Sequence, residues 1–448
     1  MAKQYDLVVI GAGTAAMTGA MRVRAAGKQV AVIDYRPFGG TCALRGCDPK
    51  KMLISGAVAV DYARRMATHG VEGSVEIAWP ALMAFKRTFT DPVPEKMEQR
   101  YQDKGIDTYH GKARFTGKNT LEVAGEVLEA KHILIASGAE PAKLGIPGEQ
   151  HLMDNEGFLA LEALPQRIVL VGGGYIAAEF SHIASRAGAK VMILQHGDRI
   201  LKEFDTDLVG WLMASFTALG VDVRTKTSVE RIEKVANGYQ VFSSNSGTQS
   251  MIEADLVVHA AGRVPDFEPL DLAAGGVEVD NGRLKLNEYL QSTSNPSVYA
   301  AGDAARTGPP LTPVSSHDAK VVAANILNGN QKTPNYQGVP SVAFTIPPIA
   351  SVGLTEAKAR EKGVKFRMQS QSTPTWFTAR QQAEPVYGFK VLVDEASDHI
   401  LGAHLVGPHV DDVINIFALA IRHGLTAEDL KTTMFAYPTG ASDIGSML

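Results

Sequence analysis

The chain has 448 residues, of which 45% are hydrophobic and 21% charged, with a formal net charge of −4 at pH 7. This composition predicts a soluble globular protein of roughly two to four domains and argues against nucleic acid or an anionic membrane as a partner. No apolar run approaches the roughly 20 residues of a membrane span. A strand-like run from Tyr5 to Ile10 leaves no room for a signal peptide, and cysteines are scarce, so we expect a cytoplasmic location.

The first predicted elements form a strand–helix–strand unit over residues 5–34. A Gly-rich turn with Gly11 and Gly13 joins the first strand to a helix of small residues. Such a turn allows backbone N–H groups to approach a pyrophosphate at the helix N-terminus. Asp34 ends the second strand, where an acidic residue hydrogen-bonds an adenosine ribose. The unit therefore predicts a site for an unphosphorylated dinucleotide, built from Gly11, Gly13, Ala16 and Asp34.

The only two cysteines, Cys42 and Cys47, follow this unit closely. A disulfide between them closes a loop too short to stabilise a fold of this size much. A zinc site needs four ligands, and no further cysteine or close histidine pair lies nearby in the sequence. We therefore favour reversible redox chemistry for this pair over two buried free thiols or half of a metal site, and we expect no metal site.

A second strand–turn–helix–strand unit covers residues 167–195, with Gly172 and Gly174 in the matching turn. The residue that matches Asp34 is the neutral Gln195. A carboxylate would repel a ribose 2′-phosphate, whereas a neutral residue with cations nearby would attract one. The second unit is therefore expected to prefer NADPH. Alternatively the basic residues are solvated surface and NADH serves equally; these residues are His196, Arg199 and Lys202.

Residues 334–448 differ in character from the two repeated units. Strands are predicted for Ser341–Thr345, Phe389–Val393 and Ile400–Val406, and helices for residues 410–423 and 426–433. Strands and helices that are segregated in this way predict a C-terminal α+β domain.

Further motifs occur in a fixed order along the chain. Besides the two Gly-rich turns they are the Gly39-Gly40-Thr41-Cys42-x4-Cys47 run, Ala136-Ser137-Gly138-Ala139-Glu140-Pro141, Ala261-Gly262-Arg263-Val264-Pro265, Tyr299-Ala300-Ala301-Gly302-Asp303, Leu311-Thr312-Pro313-Val314 and Ala350-Ser351-Val352-Gly353-Leu354-Thr355-Glu356. On these motifs the chain resembles the flavoprotein disulfide reductases, which include glutathione reductase, lipoamide dehydrogenase and mercuric reductase. The resemblance covers essentially the whole chain.

The resemblance implies an α/β fold with two Rossmann-like dinucleotide-binding domains, one for FAD and one for NAD(P), and a C-terminal α+β dimerisation domain. The expected boundaries are residues 1–148 with 263–335 for FAD, 149–262 for NAD(P), and 336–448 for dimerisation. It also implies a homodimer.

The resemblance also implies cofactor contacts outside the Gly-rich turns. Asp303 is expected to accept a hydrogen bond from the ribitol of FAD. Tyr175, followed by Ile176, holds the position of a ring that covers the nicotinamide pocket, unless it only packs on the turn. The other residues expected to bind cofactor are Gly40, Thr41, Ala136, Ser137, Gly138, Gly262, Arg263, Gly302, Thr312, Pro313 and Val314.

For the chemistry, the resemblance assigns Cys47 as the thiolate that lies against the flavin and Cys42 as the thiol that attacks substrate. Lys51 matches a lysine near flavin N5, and Glu179 matches the acid that pairs with it. Asp48 is a departure from the family. With Pro49 it predicts a helix start in which Asp48 is the N-cap, and electrostatic tuning of Cys47 is the alternative.

The larger departure lies near the C-terminus, where the family carries a His-Pro-Thr-x-x-Glu pattern that provides a general acid/base. Here Tyr437 stands in place of the histidine and Ser442 in place of the glutamate. A tyrosine with a pKa near 10 is a weak base at neutral pH. Tyr437 or water would then be the proton donor.

Three functions follow from these residues. The first is an NADPH-dependent FAD enzyme that reduces a small-molecule or protein disulfide. The second has the same architecture but reduces a metal ion such as Hg(II), or a quinone. The third is a flavin-binding dimer that serves as a redox-responsive interaction protein, and the intact cysteines argue against it.

Overall fold

The structure is a computed structural model that describes residues 2–448. Its helices are α1 (Thr14–Ala25), α2 (Gly40–Arg45), α3 (Cys47–Met66), α4 (Trp79–Thr90), α5 (Val93–Gln102), α6 (Asn155–Leu159), α7 (Tyr175–Arg186), α8 (Thr206–Ala218), α9 (Thr312–Asn328), α10 (Glu356–Glu361), α11 (Phe377–Arg380), α12 (Val410–His423) and α13 (Ala427–Thr432). Short 3₁₀ helices cover Glu149–His151, Glu268–Leu270, Gly302–Ala304 and Gly440–Ser446.

The strands are β1 (Lys3–Ile10), β2 (Val30–Asp34), β3 (Asp107–His110), β4 (Arg114–Gly117), β5 (Thr120–Val123), β6 (Glu126–Ile135), β7 (Ala139–Pro141), β8 (Arg167–Val171), β9 (Lys190–Leu194), β10 (Asp222–Arg224), β11 (Thr227–Val235), β12 (Gly238–Asn245), β13 (Thr248–Ala254), β14 (Leu256–His259), β15 (Arg263–Pro265), β16 (Val279–Asp280), β17 (Arg283–Leu284), β18 (Val298–Ala300), β19 (Ser341–Ala343), β20 (Ile349–Gly353), β21 (Phe366–Ser372), β22 (Gly388–Asp394) and β23 (Ile400–Val406).

Two compact units divide the described chain, and each is discontinuous in sequence. The first comprises the segment ending at Lys50, Phe85–Ala142 and Arg263–Tyr336; the second comprises Lys51–Ala84, Lys143–Gly262 and Gln337–Leu448. Each of the three predicted domain ranges contains its own sheet, while the boundaries between those domains stay a prediction. Within residues 2–448, no helix combines the length and apolarity that crossing a membrane requires.

The first unit contains a seven-stranded sheet of order β3-β2-β1-β6-β5-β4, with β18 also paired to β6. Its strands β1, β2, β3, β6 and β18 pair in parallel, and β4 and β5 add an antiparallel extension. Parallel strands β1 and β2 end at the same edge, so the turn after Ile10 lies beside Asp34. This edge is where ligands bind in doubly wound folds.

The alternation of side chains along β1 explains why an unbroken apolar run forms this strand. Leu7 and Val9 lie in one hydrophobic cluster, with residues of α1 and α9, while Val8 and Ile10 lie in another. Because successive side chains of a strand point to opposite faces, a run of apolar residues suits a sheet that is covered on both faces.

The second unit contains three separate sheets, one parallel and two antiparallel. A parallel sheet has the order β10-β9-β8-β14, an antiparallel sheet has β11-β12-β13, and a five-stranded antiparallel sheet has β19-β20-β23-β22-β21. Helix α12 packs on the last of these through a shared apolar cluster. The predicted α/β class with a C-terminal α+β region is confirmed, although β19 ends at Ala343 rather than Thr345.

Candidate functional site: a dinucleotide cleft beside a cysteine pair

The first Gly-rich turn brings three backbone segments too close together for side chains. A Cβ on Gly11, whose φ is +106°, would lie 2.3 Å from the carbonyl oxygen of Ala136. A Cβ on Gly40 would lie 2.3 Å from the Cα of Gly13. Gly13 is the N-cap of α1 and has no side chain to satisfy the first N–H groups of the helix. These N–H groups are therefore available to an anion.

An open cleft lies over this turn. Asp34 lines it and accepts hydrogen bonds from the backbone N–H groups of Ala12 (2.8 Å) and Arg36 (2.9 Å). Burial raises the pKa of the Asp34 carboxyl. Ser137 also lines the cleft, and its buried hydroxyl has no hydrogen-bond partner within residues 2–448. A glycine cradle, an acid at the strand end and an unsatisfied hydroxyl fit FAD, which would supply two-electron redox chemistry here.

The other residues expected to bind FAD occupy distinct places in the first unit. Asp303 lies in a 3₁₀ helix, and burial raises the pKa of its carboxyl. Arg263 donates to the carbonyl oxygen of Ala139, and Ala16 is fully buried in α1. Thr41, Ala136 and Gly138 line the cleft, whereas Thr312, Pro313 and Val314 begin α9. Their cofactor contacts stay predictions.

The fit of FAD to the glycine turn gives a direct prediction for Gly13→Ala. The added Cβ meets only the Cα of Gly40, at an ordinary 3.6 Å, so the protein should still fold. The methyl group would nevertheless stand at the helix N-terminus where the pyrophosphate approaches. We expect FAD affinity to fall by about tenfold or more. Fluorescence titration of the apoprotein checks this, and Gly210→Ala, whose Cβ meets nothing within 4 Å, is the control.

The two cysteines lie at a break between two helices. Cys42 lies in α2, Gly46 separates the helices, and Cys47 is the first residue of α3. The hydroxyl of Thr312 lies 3.3 Å from the sulfur of Cys42 and 3.5 Å from that of Cys47. Since Thr312 begins α9, both sulfurs lie near the N-terminus of that helix as well, which favours a thiolate.

The two thiols are electrostatically unequal. A hydrogen bond from the thiol of Cys42 is the main factor that lowers the pKa of Cys47, to about 6. The hydroxyl of Thr312 and the charge of Lys50 also lower it, whereas partial desolvation of the sulfur and the charge of Asp48 raise it. The same hydrogen bond and burial raise the pKa of Cys42. The reduced pair therefore holds one thiolate, on Cys47, and one proton, on Cys42.

Replacement of Thr312 by valine tests this assignment through pH. In the two-electron-reduced holoenzyme, a long-wavelength absorption band between the Cys47 thiolate and flavin should vanish as pH falls through about 6. The valine variant loses a hydrogen bond to the thiolate, so the titration should move upward by about one pKa unit. Spectroscopic titration measures this shift. Thr312→Ser keeps the hydroxyl and should titrate as the natural protein does.

Asp48 does not act as the predicted N-cap. Helix α3 already begins at Cys47, so Asp48 lies within its first turn, and the N-cap prediction is wrong. Burial raises the pKa of the Asp48 carboxyl, and its charge raises the pKa of Cys47. The electrostatic alternative therefore describes this residue better.

Lys51 and Glu179 each contact Phe344, the first through the ring and the second through the backbone. The Lys51 ammonium lies 3.7 Å from the centre of the Phe344 ring and 3.6 Å from a carboxylate oxygen of Asp411. Glu179 is buried in α7 and accepts a hydrogen bond of 2.8 Å from the backbone N–H of Phe344. Sequence reasoning missed Phe344 and Asp411, because neither lies in a motif near the cysteines.

The second Gly-rich turn repeats the geometry of the first. A Cβ on Gly172 would lie 2.3 Å from the carbonyl oxygen of Ala260, and Gly174 is an N-cap without a side chain. Tyr175 begins α7; its ring packs edge-on against Phe204, and burial raises its pKa to about 12. Ile176 follows, partly buried. Both the packing and the covering roles of Tyr175 are compatible with this position.

Gln195 follows β9 at the carboxyl edge of the parallel sheet and is buried, whereas His196 and Lys202 are exposed. The guanidinium of Arg199 donates hydrogen bonds to two nearby backbone carbonyl oxygens, those of Phe204 and Lys202. No carboxylate occupies the strand-end position in this unit.

The C-terminal segment lacks the arrangement of an acid/base dyad. Tyr437 is 80% exposed. The hydroxyl of Ser442 donates to the carbonyl oxygen of Thr439 at 2.6 Å and accepts from its backbone N–H at 3.3 Å. Ser442 therefore serves to cap the last 3₁₀ helix rather than to orient Tyr437.

Comparisons with known proteins agree with this architecture. Residues 5–319 match the family described as pyridine nucleotide-disulphide oxidoreductase, and residues 339–448 match its dimerisation domain. Mercuric reductase of Bacillus cereus is 33% identical, over 98% of this chain and 70% of that protein. Glutathione reductase of Nostoc sp. is 31% identical, over 100% of both chains.

Solved structures of similar fold include the HOCl-induced flavoprotein disulfide reductase RclA from Escherichia coli. It has a TM-score of 0.88 and 27% sequence identity, over 99% of both chains. A Cu(II) complex of RclA has a TM-score of 0.88 and 28% identity, over 100% of this chain and 99% of that one.

Proposed function

Because the chain belongs to the pyridine nucleotide-disulphide oxidoreductase family and is an FAD-dependent enzyme, we propose that it carries electrons from NADPH to a disulfide acceptor. Bound FAD would supply the two-electron chemistry between NADPH and the Cys42–Cys47 disulfide, and the resulting dithiol would reduce the acceptor. The observation that carries this proposal is the contact of the Thr312 hydroxyl with both sulfurs.

The charge state of the cysteine pair suits this exchange. A hydride equivalent, which is two electrons and one proton, converts the disulfide into one thiolate and one thiol. Cys47 holds the thiolate and Cys42 the proton. Once Cys42 gives up this proton, its sulfur attacks the acceptor disulfide and forms a mixed disulfide, and one acceptor thiolate leaves. Cys47 then attacks Cys42, and the second thiolate leaves. The Cys42 proton and one solvent proton complete two acceptor thiols.

The residue type at position 437, a tyrosine where the family has a histidine, bears on which disulfides are reduced. A leaving thiolate of low pKa departs without a proton donor, whereas one of high pKa requires an acid. With no imidazole at position 437, the acceptors that suit this chain are disulfides whose thiol products are acidic. Tyr437 or water would then protonate the acceptor thiolate after it has left.

We further infer that the chain acts as a homodimer, because residues 339–448 are the dimerisation domain of the family. The exposed segment around Tyr437 belongs to this domain. In the flavoprotein disulfide reductases that the chain resembles, the histidine of the corresponding segment is contributed by the partner subunit and is the general acid/base for the thiols.

NADPH is the proposed electron donor because Gln195 is neutral and the exposed His196 and Lys202 are close to it in sequence. Gln195→Glu should therefore lower kcat/KM for NADPH relative to NADH by about tenfold, since the carboxylate repels the 2′-phosphate. Steady-state kinetics with both cofactors measure the ratio. Gln166→Glu makes the same charge change beside the amino end of β8 and should leave the ratio unchanged.

A metal ion is the second candidate acceptor. The observation that favours it is that Ser442 caps the last 3₁₀ helix, which leaves Tyr437 without an acidic partner at position 442 for thiol protonation. Mercuric reductases are among the relatives, and RclA has a Cu(II) complex. Two electrons from the Cys42–Cys47 dithiol would reduce one Hg(II) to Hg(0), or two Cu(II) to Cu(I), and restore the disulfide.

Anaerobic titration with NADPH, followed by acceptors, tests the proposal. Two electron equivalents should produce the long-wavelength band, and a disulfide with an acidic thiol product should then discharge it faster than Hg(II) or Cu(II). Faster discharge by a metal ion would transfer the assignment to the second candidate. Absence of the band would contradict both.

A further inference from the structure

The side chain of Lys51 is held by two groups of opposite character. A carboxylate oxygen of Asp411 lies 3.6 Å from the ammonium nitrogen of Lys51, and the centre of the Phe344 ring lies 3.7 Å from the same nitrogen. The Asp411 side chain is 28% exposed and that of Lys51 is 50% exposed, so solvent screens the pair only in part. Asp411 lies in the first turn of α12, where a helix favours an acidic residue.

Lys51 is also fixed relative to the redox pair through the chain itself. It follows Cys47 by four residues in α3, so the two side chains lie on one face of the helix, one turn apart. Phe344 adds a second support, since its backbone N–H donates to the buried Glu179. If Asp411 lost its charge, the Phe344 ring would still hold the ammonium in place.

We propose that Asp411 is a positioning residue that offsets the charge of Lys51 and thereby makes the bound flavin harder to reduce. The inference rests on the proposed function and on the resemblance to the flavoprotein disulfide reductases, in which Lys51 matches a lysine near flavin N5. Transfer of a hydride equivalent to flavin adds negative charge, which a nearby ammonium stabilises. A carboxylate paired with that ammonium cancels part of this stabilisation.

The midpoint potential of the bound flavin, measured by equilibration with a reference dye in the holoenzyme, tests the proposal. Asp411→Asn should raise the ratio of reduced to oxidised flavin at a fixed potential by about fivefold. Lys51→Met should lower this ratio, because it removes the ammonium and leaves the negative charge of Asp411 without its partner. Asp411→Glu keeps the charge and should restore the natural value.

Asp412 provides a matched control. It is the next residue of α12, it is exposed, and Asp412→Asn makes the same change of charge and shape. This variant should leave the flavin ratio within about 1.5-fold of the natural protein, because water screens an exposed charge. An equal rise in both asparagine variants would show a general effect of net charge and would overturn the proposal.

The remaining outcomes separate this inference from the proposed function. If Lys51→Met lowers the ratio but Asp411→Asn leaves it unchanged, the inference fails and the role of Lys51 stands. If Asp411→Asn lowers the ratio, the carboxylate does not oppose flavin reduction and the inference fails. If Lys51→Met has no effect on the ratio, Lys51 does not act on the flavin and the inference fails. The proposed reduction of an acceptor by the cysteines would still stand, because the acceptor titration tests it independently.

Discussion

Replacement of Cys42 by serine is expected to lower disulfide turnover by about 10³-fold or more, while NADPH still reduces the flavin. The reason is that a serine hydroxyl cannot form a mixed disulfide with the acceptor. Stopped-flow absorbance should show flavin reduction within about twofold of the natural rate, and steady-state assays should show the loss of turnover.

The serine variant of the other cysteine separates the two roles. Cys42→Ser retains the thiolate of Cys47, so the long-wavelength band should be present before any reductant is added. Cys47→Ser should lack the band under all conditions, and it should also lose turnover. Ser55→Ala, at an exposed position of the same helix, is the control and should behave as the natural protein. Substantial turnover in Cys42→Ser would refute the assignment of the attacking sulfur.

Restoration of the family dyad by Tyr437→His with Ser442→Glu is expected to speed disulfide reduction by about 10²–10⁴-fold in the step that protonates the leaving thiol. Imidazole titrates near pH 6.5 and is therefore a far better acid/base at neutral pH than a phenol. Glutamate at position 442 also completes a capping box with Thr439, so the last 3₁₀ helix should persist.

Kinetics with a series of disulfides check this expectation. The gain should be largest for disulfides whose thiol products have a high pKa, and small for those with acidic products. Ser442→Glu alone lacks the imidazole and should show little gain. An equal gain for every disulfide, or none with the double variant, would mean that protonation of the leaving thiol does not limit turnover.

Local sequence patterns predicted most of the fold. The two strand–turn–helix–strand units appear as β1-α1-β2 and β8-α7-β9, and helix α12 covers the range that was expected for it. These predictions succeed because a Gly-rich turn and an apolar period depend on neighbouring residues. The start of α3 was misplaced by two residues, since the helix was expected to begin at Pro49 and instead begins at Cys47.

The candidate site was predictable only where its residues lie within a motif. Gly11, Gly40 and Asp34 were identified because the turn itself dictates their types. Thr312 was expected to bind cofactor, but its contact with both sulfurs was not predicted. Thr312 lies 265 positions from Cys47, so no local pattern relates the two residues. Phe344 and Asp411 escaped notice for the same reason, since no spacing in the sequence relates them to Lys51.

By itself the sequence established that two dinucleotide-binding units and a pair of cysteines belong to one flavoenzyme family. Each of these features is local, because a turn, a helix start or a pair of thiols five residues apart acts over short stretches of chain. Only the tertiary structure decided which thiol holds the negative charge and which side chains surround Lys51. Those properties depend on distance, burial and hydrogen bonding between remote segments, and electrostatic interactions follow separation in space rather than in sequence.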